Sequence, residues 1–193
     1  MEYARQHGYP VPAVEEVSAD GTELVMERAD GPSMVALLGK RPWTLRRQAG
    51  VLADLHRRLH QIEGPDWLPA APGGAGTTLV HLDLHPLNII VADRGPVVID
   101  WANASRGIGE VDVVLAWVLL ASGEIPDKGI RATVLGQGRS LFVNSFLRHF
   151  DRRALRPHLG DVVAWKVTDA NMSEGERRTM RALADAYGAA GTS

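Results

Sequence analysis

The sequence predicts an α+β fold, mostly helical, in which a short β-hairpin brings chemistry-bearing side chains to one rim. Three observations carry this expectation. The stretch from Leu79 to Trp101 reads LVHLDLHPLNIIVADRGPVVIDW. In it, β-favouring runs flank an Asp93-Arg94-Gly95 turn, a loop-and-hairpin pattern that gathers Asp83, Asn88 and Asp100. Two further short β-favouring runs stand near the N-terminus. Long stretches with apolar residues three or four apart fill most of the rest.

Taken in order, Met1 to His7 reads as a helix ended by Gly8, with Pro10 and Pro12 preventing its continuation. Val14 to Val17 and Glu23 to Glu27 are expected as strands joined at Asp20-Gly21. Ser33 is placed to cap a short helix reaching Leu38, and Thr44 to cap a long one reaching Ile62. Leu45, Ala49, Leu52, His56, Leu59 and Ile62 form the apolar stripe of that long helix. A lone histidine on a core face, His56 reads as a hydrogen-bonded packing residue. Gly64 to Gly76 is a Pro-, Gly- and Ala-rich connection, and no Gly-Lys-Ser/Thr follows its glycines, so it is not a P-loop. Pro96 falls just after the hairpin turn, where its missing N–H costs least. After Trp101 the chain runs through a loop into a strongly apolar helix containing Asp112. Helices are then expected over Ile130 to Phe150 and Leu155 to Thr168. Ser173 with Glu176 makes a capping box for a last helix that presents Met180, Leu183 and Tyr187 on one side, and the tail from Gly188 should fray.

A chain of 193 residues, 45% hydrophobic and 23% charged, suits one well-packed soluble core and not two full domains. Its net charge of −2 argues against a nucleic-acid partner. The apolar run from Val111 to Ala121 is too short to span a bilayer, and no signal peptide opens the chain. With no cysteine, disulfides and thiol chemistry are excluded, and a cytoplasmic location is expected. Asp83, Asn88 and Asp100 offer hard oxygen donors, suited to Mg²⁺ and a nucleotide phosphate rather than to a softer metal.

The spacing His81-x-Asp83-x-x-x-x-Asn88 matches the kinase loop H-x-D-x-x-x-x-N, and Asp100 falls where a second metal-binding Asp is expected. HLDLHPLN followed by VVIDW resembles the aminoglycoside phosphotransferase and choline kinase family, small-molecule relatives of protein kinases. The resemblance implies a protein-kinase-like fold and transfer of the ATP γ-phosphate, with Mg²⁺, to a hydroxyl of a small-molecule acceptor. It places Asp83 on the acceptor hydroxyl and Asn88 and Asp100 on the metal, with His81, His56 and Asp112 in support. His85 and Trp101 fall to the acceptor pocket, although His85 also reads as an exposed loop histidine and Trp101 as a packing residue. Asp112 either orients the loop backbone or faces solvent near a helix N-terminus. The segment LVMERADGPSM is similar to the hinge between kinase lobes. There Glu27 to Ala29 would meet adenine through backbone groups and Met26 would line the pocket.

By this resemblance residues 1–30 are a remnant of the N-terminal lobe with the hinge, and 31–193 are the helical lobe that binds acceptor. No Gly-rich loop and no lysine-bearing strand precede the hinge, so the sequence reads as N-terminally truncated. Weak ATP binding, poor turnover and self-association through the uncovered surface near Leu24 and Val25 are the corresponding expectations. An acidic patch for a cationic acceptor would draw on Glu110, Asp161, Asp169 or Asp185. Two other readings compete. One is a metal-dependent hydrolase in which His81, Asp83 and His85 share one strand face. The other is a catalytically dead, kinase-like binding module.

Overall fold

The computed structural model describes residues 1–123 and 130–188. Helix α1 (Glu2–Gln6) ends at Gly8, whose φ of 75° is the left-handed value that glycine adopts without steric cost. Strands β1 (Val14–Val17) and β2 (Leu24–Met26) pair antiparallel, and β2 is shorter than the sequence suggests. Their turn is fixed by Asp20, whose Oδ1 accepts from the Ser18 hydroxyl at 2.6 Å and from the Thr22 N–H at 3.2 Å. Leu24, Val25 and Met26 are all exposed.

Helix α2 (Met34–Lys40) is capped as expected, the Ser33 hydroxyl accepting from the Ala36 N–H. Helix α3 (Leu45–Leu59) is not capped by Thr44. A 3-10 turn at Pro42–Thr44 precedes it, and the Thr44 hydroxyl donates back to the Arg41 carbonyl at 2.7 Å instead. Of the expected α3 stripe, Ala49, Leu52, His56 and Leu59 are each at 0% exposure and Leu45 is partly buried, while Ile62 is buried just beyond the helix, which ends at Leu59 and not at Ile62.

Strand β3 (Thr78–Val80) leads into the Asp83 loop, and a 3-10 turn at Pro86–Asn88 leads out of it. The expected hairpin follows as β4 (Ile89–Ala92) and β5 (Gly95–Val98), with Ile89 opposite Val98 and Ala92 opposite Gly95. Strand β6 (Ser105–Gly107) turns back to pair antiparallel with β3.

Helix α4 (Gly109–Ser122) is apolar on all sides and sits at the centre of the helical layer. It packs against α5 (Ile130–Leu147), α7 (Leu159–Lys166) and α8 (Glu174–Gly188), while α3 packs against α5. The helix expected over Leu155–Thr168 is interrupted: α6 (Arg152–Leu155) gives way to a 3-10 turn at Arg156–His158 before α7 begins. Pro157 explains the break, because it has no N–H for the helical ladder. The capping box of α8 forms, with Glu176 N–H on the Ser173 hydroxyl at 3.1 Å and Ser173 N–H on the Glu176 carboxylate at 2.9 Å. Fraying beyond Gly188 concerns residues outside those described. No helix among the described residues is long and apolar enough to cross a membrane.

Candidate functional site

Asp83 directly follows one left-handed residue, and Asp100, which lines the same cavity, is another. Leu82 has φ 57° and Asp100 φ 63°. For a leucine this conformation costs about 1–2 kcal/mol, so something must hold it. That something is Asp112, on the first turns of α4 and 1% exposed. Its Oδ1 accepts from the Leu82 N–H at 2.8 Å, and its Oδ2 accepts from the His81 N–H at 3.2 Å and pairs with His60 Nε2 at 3.1 Å. The loop-orienting reading of Asp112 therefore holds, and the solvent-facing one does not. Burial alone would raise its carboxyl, but the His60 hydrogen bond and the neighbouring imidazoles leave it well below the ordinary carboxylate range.

His60 was not legible in the sequence as part of this arrangement. It follows His56 by one helical turn, and its ring packs on Gly109, where a Cβ would stand only 2.8 Å from Nδ1. The glycine at the start of α4 is what lets His60 reach Asp112.

The three oxygen-bearing residues come together. Asn88 Nδ2 donates to both the carbonyl and the Oδ2 of Asp83, each at 3.0 Å. Both partners are acceptors, so this nitrogen assignment follows from chemistry, and Asn88 turns its amide oxygen to the other side. The Ile99 N–H donates to the Asn88 carbonyl at 3.0 Å, tying Asn88 to the strand end that carries Asp100. Asp83 Oδ1 pairs with His85 Nε2 at 3.3 Å, and His85 Nδ1 accepts from the Leu87 N–H. His85 is thus a partner of Asp83 and not an exposed loop histidine. Burial pushes the Asp83 carboxyl up, but the hydrogen bond from His85 and the nearby Lys166 charge outweigh it and hold it below its usual value.

Asp83 and Asp100 open into a cavity of about 450 Å³ shared with Asn103, Trp165, Lys166 and Asp169. Lys166 and Trp165 carry no sequence motif; only the packing of α7 against α4 brings them here. Of the acidic residues expected around an acceptor, Asp169 lines this cavity, whereas Glu110 lines a different one beside His60. Asp161 and Asp185 are exposed.

Trp101 takes its packing alternative. Its ring lies 4.7 Å from that of His81 and 5.7 Å from that of Tyr9, and its Nε1 donates to the Val98 carbonyl. His81 and His56 are both fully buried. His81 Nε2 donates to the Ile99 carbonyl, and His56 Nδ1 to the Leu52 carbonyl. The hydrolase reading fails on this geometry. Strand β3 ends at Val80, and the His81 ring points inward, away from the cavity that Asp83 lines. Among the described residues no three His, Cys, Asp or Glu side chains form a metal cage. At the expected hinge, Met26 is 40% exposed, and the Glu27 N–H donates to the Ala13 carbonyl at 2.8 Å. That backbone donor is therefore spent within the β1–β2 hairpin, while the Glu27 carboxylate pairs with Arg94 at 2.6 Å. Ala29 follows in the loop leading to Pro32, whose carbonyl accepts from the Val91 N–H of β4.

A loop and hairpin of this kind, set against a helical lobe, make a kinase-like fold of the α+β class. Residues 66–158 match the Phosphotransferase enzyme family (APH), and this segment contains the Asp83 loop, the hairpin and Asp112. Among solved structures, amicoumacin kinase hAmiN in complex with AMP-PNP, Ca²⁺ and Ami superposes with a TM-score of 0.52 at 15% identity. The match covers 98% of this chain and 75% of that one. A choline/ethanolamine kinase family protein from Mesorhizobium loti gives a TM-score of 0.53 at 14% identity, covering 98% of this chain and 74% of that one. At such identities the likeness is one of fold. Comparison with curated proteins gave no match. The family likeness read from HLDLHPLN and VVIDW thus rests on the segment that carries those residues.

Proposed function

We propose that the chain transfers the γ-phosphoryl group of ATP, with Mg²⁺, to a hydroxyl of a small molecule. The observation that carries this is that Asp83 and Asp100 line one cavity, while Asn88 is hydrogen-bonded to Asp83 and, through its carbonyl, to Ile99 next to Asp100. The donor set fits the cation. Asn88 commits its amide nitrogen to Asp83 and so presents Oδ1, and Asp100 adds a carboxylate, both hard oxygen ligands. Two protein ligands match an ion that arrives with phosphate and keeps several waters. When bound, the magnesium nucleotide supplies the transferable phosphoryl group and offsets its charge.

Asp83 meets the acceptor as an anion, because its carboxyl lies below the usual range. Each of its oxygens already accepts one hydrogen bond, from Asn88 or from His85, and has a second lone pair for the acceptor hydroxyl. It therefore orients that hydroxyl and takes its proton as the new oxygen–phosphorus bond forms and the bond to the leaving oxygen breaks. Asp112 acts through the loop by holding the Leu82 N–H.

The test is phosphate transfer from labelled ATP to a panel of hydroxyl acceptors. Asp83→Asn should lower turnover by about 10²–10⁴-fold, the range for a positioned proton acceptor. Asp100→Asn should remove the magnesium dependence of nucleotide binding measured by titration calorimetry. Nucleotide binding with no transfer to any acceptor would favour the binding-module reading instead. Transfer that Asp83→Asn leaves unchanged would sink the assignment.

A further inference from the structure

The wall of the cavity facing Asp83 and Asp100 is built from the end of α7 and the turn after it. Lys166 is buried there, its side chain 8% exposed, with Nζ 2.9 Å from Asp169 Oδ2 and 5.9 Å from the centre of the Trp165 ring. The turn is rigidly tied. Asp169 Oδ1 accepts from the Asn171 N–H at 2.9 Å, and Arg177 donates to the carbonyls of Val167 and Asp169 at 3.0 and 2.8 Å. The Lys166 hydrogen bond keeps the Asp169 carboxyl below its usual value, so Asp169 faces Lys166 as a carboxylate.

A charge account of the cavity then decides what it accepts. Its carboxylates are Asp83, Asp100 and Asp169. Asp83 is engaged by Asn88 and His85, Asp100 stands where the cation is proposed, and Asp169 is neutralised by Lys166. Asp83 keeps its free lone pairs for the reacting hydroxyl, so the far wall must hold the rest of the acceptor, and an ammonium placed there at Asp169 would meet the Lys166 charge at close range. What the wall does offer is hydrogen bonding. Lysine has three donors, of which Asp169 takes one, and the Asp169 oxygens keep lone pairs. A donor and an acceptor 2.9 Å apart match adjacent hydroxyls, each of which both donates and accepts. Asn103 and Thr168 add further polar groups, and Trp165 adds a flat apolar wall.

We propose that Lys166 and Asp169 together select a neutral, polyhydroxylated acceptor, and that their pairing excludes polycationic ones. This rests on the phosphotransferase reading, deepening it by naming the acceptor class and the residues that choose it. The experiment is a binding titration of the full chain at physiological salt, without nucleotide but with saturating Mg²⁺ so that Asp100 is compensated in every arm. Saturation-transfer NMR would follow methyl glycosides and inositols as neutral probes, choline as a monocation and kanamycin as a polycation. A neutral polyol should bind about tenfold or more tighter than either cation. Lys166→Met, close in shape, should reverse the order: the polyol loses about tenfold with the charged donor, and kanamycin gains as Asp169 is freed. Tighter binding of a cation to the wild type, no polyol binding, or a substitution that moves both probe classes alike would overturn the proposal.

If Lys166→Met does not fold, Asp169→Asn decides. It leaves Lys166 uncompensated, so kanamycin should weaken further and gluconate should gain; the opposite pattern overturns the proposal. Magnesium–nucleotide binding is read separately. Its absence beside an intact polyol preference would sink the kinase reading alone, whereas its presence beside an unchanged probe order would sink only this inference.

Discussion

Asp112 is a buried carboxylate whose two oxygens meet three groups: the backbone N–H of Leu82, the backbone N–H of His81 and the His60 ring. An asparagine there can accept on one atom only, and its NH₂ would face a donor. Asp112→Asn should therefore strand at least one buried donor, at about 1–3 kcal/mol. For a chain of this size that lowers the melting temperature by roughly 2–10 °C. The functional loss should exceed the stability loss, because the Asp112 carboxylate holds the left-handed Leu82 and Asp83 moves with it. Transfer assayed well below the melting temperature separates the two; a variant that melts lower yet transfers normally would show that Asp112 supports the fold and not the site. The sequence made half of this arrangement visible. Asp112 stood out as a charge in an apolar helix, but His60 lies 52 residues away in sequence, and its spacing from His56 reads simply as more α3 stripe.

At the scale of elements, capping shows what local sequence can and cannot predict. Ser33 and the Ser173–Glu176 box act as their patterns imply, because every partner lies within one turn. Thr44 has the right residue type but sits in a helical conformation within a preceding 3-10 turn, so its hydroxyl cannot reach forward. Denaturant midpoints test the distinction. Ser173→Ala should cost about 1 kcal/mol, and Thr44→Ala less than about 0.5 kcal/mol, the ordinary range for a surface change. Equal costs would mean that the capping geometry does not govern these helix starts. The β4–β5 hairpin was legible for the same local reason, its turn residues falling between two β-favouring runs. The break before α7 was foreshadowed by Pro157, yet the position of Lys166 beside Asp83 was not. That juxtaposition exists only once α7 packs against α4, a matter of tertiary contact and not of period.

Over the whole molecule, two buried imidazoles tie stability to pH. The Leu52 carbonyl can only accept, so His56 carries its proton on Nδ1, and Nε2 is a bare lone pair without a hydrogen-bond partner. That nitrogen is enclosed among aromatic rings, Phe146 at 5.3 Å and Phe150 at 6.3 Å. Burial thus lowers its pKa from 6.5 to about 4; the charge of Asp112 opposes this shift and that of His60 reinforces it. His81 is lowered for the same first reason, with Nε2 on the Ile99 carbonyl and Nδ1 unpaired. As pH falls below 6.5, the unfolded chain binds protons that the folded chain refuses, so stability declines with falling pH. For His56 the loss reaches about 2 kcal/mol at pH 5, at 1.36 kcal/mol per unit. The depressed carboxyl of Asp112 has the other window. Its stabilisation is intact above the ordinary carboxylate value and fades only as pH falls towards its folded value, so it contributes no slope between pH 7 and 5. Denaturant unfolding at pH 7, 6 and 5 should therefore show a steady decline for the wild type. His56→Leu should remove roughly 2 kcal/mol of that decline and leave the part due to His81, whatever its stability at pH 7. A decline that His56→Leu leaves untouched would mean that His56 is protonated inside the folded chain, and that its ring is not the neutral packing group against which α3 and α5 close.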